Sequence, residues 1–234
     1  MKPQPTKTES RPAFMIQLGL LPPYAHDDVK QAYLAKSRLA HPDRGGSVAD
    51  FHALREAYDA AKEYIDYQGD RRNWIAAMVE KSIAQDAVVE KIESFGGEVR
   101  TTTLGWLEQS LGDFASLTET VESITLHRSD AADDLITHML NHQQVLDNLQ
   151  HLDLAGSQLS DSAVERLHVF SRMSSLNLSQ TPVTNQILSL VSRLPTLTRL
   201  ELSGTKVGWL KRQQVKTALR RREAAKPTAI FPSN

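Results

Sequence analysis

The chain has 234 residues, 40% of them apolar and 24% charged, with 27 basic and 28 acidic side chains. That is the composition of an ordinary soluble globular protein of one or two domains, and a net charge of −1 makes no bulk case for nucleic acid or membrane. Cysteine is absent, which excludes disulfides, thiol catalysis and cysteine-ligated zinc and fits a reducing cytosol.

Residues 1–12 are polar, carry scattered prolines and read as a disordered tail without the apolar core of a signal peptide. No apolar run approaches the ~18 residues of a membrane span. The expected location is therefore the cytoplasm. From Ala13, the apolar residues Phe14, Ile16 and Leu18 open a short helix that ends at Gly19, and Pro22-Pro23 stops any continuation. A second helix starts near Asp27 and Asp28, whose carboxylates suit the positive end of the helix dipole. Val29, Ala32, Tyr33 and Leu39 fall on one side of it, and Pro42 ends it. Gly45-Gly46 makes a loop, and Ser47 with Asp50 forms an imperfect capping box. A third helix then runs to about Tyr67 with Phe51, Leu54, Ala57, Tyr58, Ala61 and Ile65 as its apolar stripe. Two such helices joined by a short loop are expected to pack as an antiparallel hairpin.

Asp70 is placed to cap a fourth helix, with Trp74, Ile75, Met78, Val79, Ile83, Val88, Val89, Ile92 and Phe95 as its apolar positions and Gly96-Gly97 at its end. The sequence leaves open whether this helix packs on the first three helices, on the C-terminal half of the chain, or on a second chain. Glu98 to Leu104 is β-prone, and Trp106 to Leu117 reads as a helical connector. From Val121 the chain repeats, with starts at Val121, Leu149, Met173 and Leu197 and intervals of 28, 24 and 24 residues. Each copy has one pattern: apolar, two residues, apolar, one residue, apolar, two residues, hydroxyl, one residue, apolar. In the second copy these are Leu149, Leu152, Leu154, Ser157 and Leu159. Leucines two apart point to one face of a short strand, and the amphipathic segment after each strand packs behind it. No such unit buries a core alone, so neighbours must stack. The last stretch, with Lys211, Arg212, Lys216, Arg220, Arg221, Arg222 and Lys226, reads as a basic helix that caps the stack.

Two resemblances rest on these residues. The helices of residues 13–67, with His41-Pro42-Asp43-Arg44-Gly45-Gly46 between an Ala32-Tyr33 helix and a Phe51-x-x-Leu54-x-x-Ala57-Tyr58 helix, resemble the J domain of DnaJ-type co-chaperones. The repeat resembles the leucine-rich repeat, with Ser157, Thr181 and Thr205 where asparagine is common. The J-domain resemblance implies a partner, a DnaK-type heat-shock chaperone whose ATPase the tripeptide stimulates, and it implies no cofactor and no covalent chemistry. His41 and Asp43 would be polar contacts and Pro42 would fix their presentation. Lys30, Lys36, Arg38 and Arg44 would steer towards an acidic chaperone surface. The chain departs from the family at Ala25, Lys36 and Ala40, and Leu34 and Ala35 replace basic residues common in the family's second helix, which leaves the basic surface sparse.

The implied architecture is mainly α with α/β: a disordered tail (1–12), a J domain (13–67), a helical connector and cap (68–118), a short leucine-rich-repeat solenoid with parallel strands (119–208), and a basic cap helix and tail (209–234). The exposed strand face, including His151, Asp153, Asn177, Arg199 and Glu201, is the expected partner surface of the repeats. His138 and His142 are spaced i, i+4 but lack an evident third ligand and read as a solvated helix face rather than a metal site. No phosphate loop or nucleophile elbow occurs, so no enzymatic activity is expected. Neither nucleic acid nor membrane is an expected partner. The alternative function is an adaptor that works through its repeats with a weakened J domain.

Overall fold

The computed structural model describes residues 11–44, 46–103 and 118–224. The expected tail up to residue 10, the connector at 106–117 and the frayed end from 226 lie outside the described residues. The described residues divide into two compact units, one up to Arg71 and one from Arg72 onward. Together they make a mixed α/β protein with a small mixed sheet. Among the described residues, no helix is long and apolar enough to cross a membrane.

The first unit contains α1 (Ala13–Leu18), α2 (His26–Ala40) and α3 (Val48–Gly69). Gly19 closes α1 in the left-handed region (φ 78°), and the Leu20 N–H returns to the Met15 carbonyl. Ser47 caps α3 by accepting the Asp50 N–H. Helices α2 and α3 run antiparallel. His26 meets Asp66 at 2.9 Å, Tyr33 stacks on Tyr58 with centroids 4.4 Å apart, and His41 meets Phe51. Met15, Leu18, Val29, Ala40, Leu54 and Ala61 form the buried core between the three helices. Leu39, expected on the buried side, is 67% exposed. It lies about 100° around the helix from buried Ala40, on the solvent flank.

The second unit begins with α4 (Arg71–Ser94) and a five-stranded sheet in the order β1 (Glu98–Thr102), β2 (Thr120–Thr125), β3 (His151–Asp153), β4 (Ser175–Asn177), β5 (Arg199–Glu201). Strands β2 to β5 are parallel, in a register that aligns Ile124, Leu152, Leu176 and Leu200. The pattern of the sequence is thus the pattern of the stack. The four starts, Val121, Leu149, Met173 and Leu197, are fully buried. The sheet is not wholly parallel: β1 pairs antiparallel with β2 and carries an irregularity between Arg100 and Thr101. Behind the strands lie α5 (Ala132–Asn141), α6 (Asp161–Arg166) and α7 (Leu188–Arg193), and α8 (Trp209–Ala224) comes after the last strand.

Helix α4 belongs to this core. Val88 and Ile92 are buried in one cluster with Val121, Ile124 and Leu135, and Val89 and Phe95 pack against it. Val79 and Ile83 differ from expectation and are exposed, Ile83 by 64%. At about 100° per residue they fall on the side of α4 opposite Ile92.

Two features tie successive repeats together, and a third closes the turn after each strand. At the helix starts, Asp133 accepts the Ser160 N–H at 2.9 Å, Asp161 the Thr184 N–H at 2.8 Å, and Asn185 the Gly208 N–H at 3.1 Å. After the strands, hydroxyls satisfy carbonyls: Ser157 donates across to Leu126 of the preceding repeat, whereas Thr181 and Thr205 donate within their own repeats, to Leu178 and Leu202. Seven residues into each repeat the backbone turns left-handed, at Arg128 (φ 52°), Gly156 (72°), Gln180 (57°) and Gly204 (75°). The long side chains lie over the glycines, since a Cβ on Gly156 would stand 3.0 Å from Cγ of Arg128 and one on Gly204 would stand 3.2 Å from Cγ of Gln180. Gly156→Ala therefore meets both backbone strain and crowding. It is expected to cost about 1–2 kcal/mol in urea denaturation, and an unchanged midpoint would contradict the arrangement.

Candidate functional site

His41 ends α2 in an extended conformation, and Pro42–Arg44 makes one 3-10 turn before α3. The His41 carbonyl accepts two N–H groups, from Arg44 at 3.0 Å and from Gly46 at 3.1 Å. Its imidazole meets the Phe51 ring edge-on, with centroids 5.3 Å apart and planes at 82°. The tripeptide is therefore presented on a turn fixed from both sides, by a closed backbone loop and by an aromatic of α3. Gly46 is buried where the turn passes the end of α2. A Cβ there would overlap the carbonyl carbon and oxygen of Ala40. Phe51 and Gly46 are the parts of this site that sequence reasoning assigned only to core and loop. A Gly-Gly pair one residue beyond the tripeptide was the available signal for a close backbone approach.

The basic residues separate into two groups. Lys30, Arg38 and Arg44 are exposed. Lys36 turns the other way and donates from Nζ to the Gln17 carbonyl at 2.6 Å, at the carboxyl end of α1. Carbonyls without intrahelical partners attract cations there, and burial lowers the Lys36 pKa below its usual value. Lys36 therefore fastens α1 to α2 and is not grouped with the other three. Asp27 and Asp28 share the exposed side of α2 with Lys30, Leu34, Ala35 and Arg38, so that side carries two charges of each sign. Steering by this face is correspondingly small.

The strand face forms two rows across the sheet, Ser123, His151, Ser175, Arg199 and Thr125, Asp153, Asn177, Glu201. Asp153 is committed to structure. One carboxylate oxygen accepts the Ala155 N–H at 3.0 Å and lies 3.1 Å from Nε2 of His127, and the other accepts from the Asn177 amide at 3.0 Å. Asn177 in turn accepts the Ser179 N–H at 3.0 Å. Burial pushes the Asp153 carboxyl up, but these hydrogen bonds outweigh it and hold it below the usual carboxylate value. His151, Arg199 and Glu201 are exposed, so of the five predicted face residues these three are the ones presented to solvent.

His138 departs from the expected solvated face. It is half-buried beside α4, with its ring 6.4 Å from Phe95 and 4.5 Å from His142. Its Nε2 is buried without a hydrogen bond. Among the described residues, no group of three or more His, Cys, Asp or Glu is placed to hold a metal ion. Desolvation and then the charge of His142, helped by Lys91, depress the His138 pKa below 6.5, against a weaker upward pull from the Val88 backbone. A depressed folded-state pKa means that the folded protein binds this proton less well than the unfolded chain. The stability tied to neutral His138 is full above 6.5, the unfolded value, and is lost as pH falls through the lower folded value. Urea midpoints taken from about pH 7.5 down to 5 are expected to decline, and His138→Gln is expected to flatten the decline. Asp153 does not confuse the reading, because its contribution is lost only below the ordinary carboxyl value of 3.8.

No family model, curated protein or solved structure matches the chain.

Proposed function

We propose that this is a cytoplasmic J-domain co-chaperone that binds a DnaK-type chaperone and stimulates its ATPase, with a short leucine-rich-repeat region as its client- or partner-binding module. The observation that carries this reading is the His41-Pro42-Asp43 turn at the tip of the α2–α3 hairpin, closed by two hydrogen bonds to one carbonyl and braced by Phe51. Lys30, Arg38 and Arg44 are the cations that contribute to the contact, while Lys36 supports the fold. The chain itself needs no cofactor in this role and carries out no covalent step. Steady-state ATP hydrolysis by a purified DnaK-type chaperone tests it. Wild type is expected to raise the rate, and His41→Gln is expected to leave it at the unstimulated level. Equal stimulation by both proteins would remove the proposal.

The even charge on the outer side of α2 favours a second reading, an adaptor that works through its repeats. In that case a partner captured from extract is retained by His41→Gln and lost by the double variant Arg199→Glu/Glu201→Arg. The co-chaperone reading expects the opposite for the chaperone itself.

A further inference from the structure

Helix α8 carries more charge than its packing uses. Between Lys206 and Arg222 there are seven cations and no carboxylate. With the whole chain at −1, the rest of the molecule therefore carries −8. A block of like charge at one end of a nearly neutral chain is a surface suited to a partner of opposite charge.

The capping role accounts for only part of this helix. Leu219 is buried and Val215 half-buried against the stack. Arg222 closes the end of α7, donating to the Val191, Leu194 and Leu197 carbonyls at 3.0–3.2 Å. Arg212 reaches the Leu202 carbonyl at 3.4 Å. Lys206, Lys211, Lys216, Arg220 and Arg221 are exposed, and none has an ion-pair or hydrogen-bond partner for its side chain among the described residues. Trp209 is 66% exposed at the start of the same helix. At helical spacing Trp209, Gln213, Lys216 and Arg220 form one outward stripe, roughly 16 Å long at 1.5 Å per residue. Trp209, Gln213 and Lys216 also border a groove between α8 and β5, which they share with Arg212, Ser203 and one carboxylate, Glu201.

We infer that this stripe binds single-stranded nucleic acid. Lys216 and Arg220, with Arg221 about 100° further round the helix, neutralise phosphates about one nucleotide apart, and Trp209 offers a face on which a base stacks. An acidic polypeptide would use the cations and leave the indole idle. A membrane would need a continuous apolar face, and the exposed large apolar residues of α8 are Trp209 and Leu210, about 100° apart on the helix. Nucleic acid is the polyanion that uses the aromatic and the cations together. The inference does not depend on the co-chaperone reading.

Anisotropy of a labelled oligothymidylate of about 20 nucleotides, with the full chain in about 50 mM salt, tests it. Saturable binding is expected, with log affinity falling against log salt at a slope of roughly −2. The variant Lys216→Glu/Arg220→Glu/Arg221→Glu is expected to lose at least about tenfold in affinity at an unchanged melting temperature, because all three positions are exposed. Trp209→Ala is expected to lose about tenfold while keeping the salt slope, since it removes stacking and no charge. Absence of saturable binding overturns the inference. So does competition by an oligoglutamate as effective as by unlabelled oligothymidylate. Capture by phosphatidylserine vesicles at salt that abolishes oligonucleotide binding would assign the stripe to membranes instead.

Discussion

Gly46→Ala is expected to disrupt the tripeptide turn and to destabilise the first unit by about 1–3 kcal/mol or more. The cause is a close approach rather than conformational freedom. An added Cβ overlaps the carbonyl group of Ala40 and stands 2.8 Å from its Cα. These atoms are backbone at the end of α2, so no side-chain truncation makes room, and Ala40→Gly is expected not to rescue. The same displacement breaks the Gly46 N–H bond to the His41 carbonyl and moves the tripeptide relative to Phe51. Urea denaturation reads the stability. On the co-chaperone reading proposed above, the chaperone ATPase assay reads the turn, and stimulation is expected to fall even where circular dichroism shows a folded protein. A variant of full stability and full stimulation would mean that the turn and α2 are not in this contact.

Ile92→Ala is expected to cost about 2–5 kcal/mol, the range for truncating a fully buried aliphatic side chain. Ile92 is 0% exposed, in one cluster with Val121 and Ile124. Its Cγ2 stands 2.7 Å from where a Cβ on Gly97 would be, and its carbonyl accepts the Gly97 N–H at 3.1 Å. The chain thus folds tightly over this side chain as α4 gives way to β1, and the site has little freedom to collapse. Ile83→Ala, on the exposed side of the same helix, serves as the control and is expected to change stability by less than about 0.5 kcal/mol. A small effect of Ile92→Ala would mean that α4 does not close the end of the stack.

Much of this architecture was legible because the signals are local. Pro42 and Gly96-Gly97 end their helices through their own backbone chemistry. The repeat spacing predicts which leucines face the core, and Leu152, Leu176 and Leu200 do align across the parallel strands. What was not legible depends on distant partners. Lys36 looked like a surface cation, but its long stem reaches a carbonyl 19 residues away in sequence. The antiparallel placement of β1 is a pairing across 18 or more residues, which no pattern within β1 encodes. His138 looked solvated because nothing nearby in sequence announces that α4 covers it. The recurring left-handed turn was half legible. Gly156 and Gly204 mark it in two copies, but Arg128 and Gln180 occupy it in the others and conceal the repeat of conformation.

That alternation sets how the array can grow. A long side chain in one copy lies over a glycine in the next, Arg128 on Gly156 and Gln180 on Gly204. Copying a single repeat would put two glycines or two long side chains side by side and leave either a gap or a crowded pair at the left-handed turn. Copying two adjacent repeats preserves the match, and each brings the acceptor that its successor's helix start requires, as Asp161 does for Thr184. The natural module of duplication in this protein, for a lineage or for an engineer lengthening the sheet, is therefore the pair.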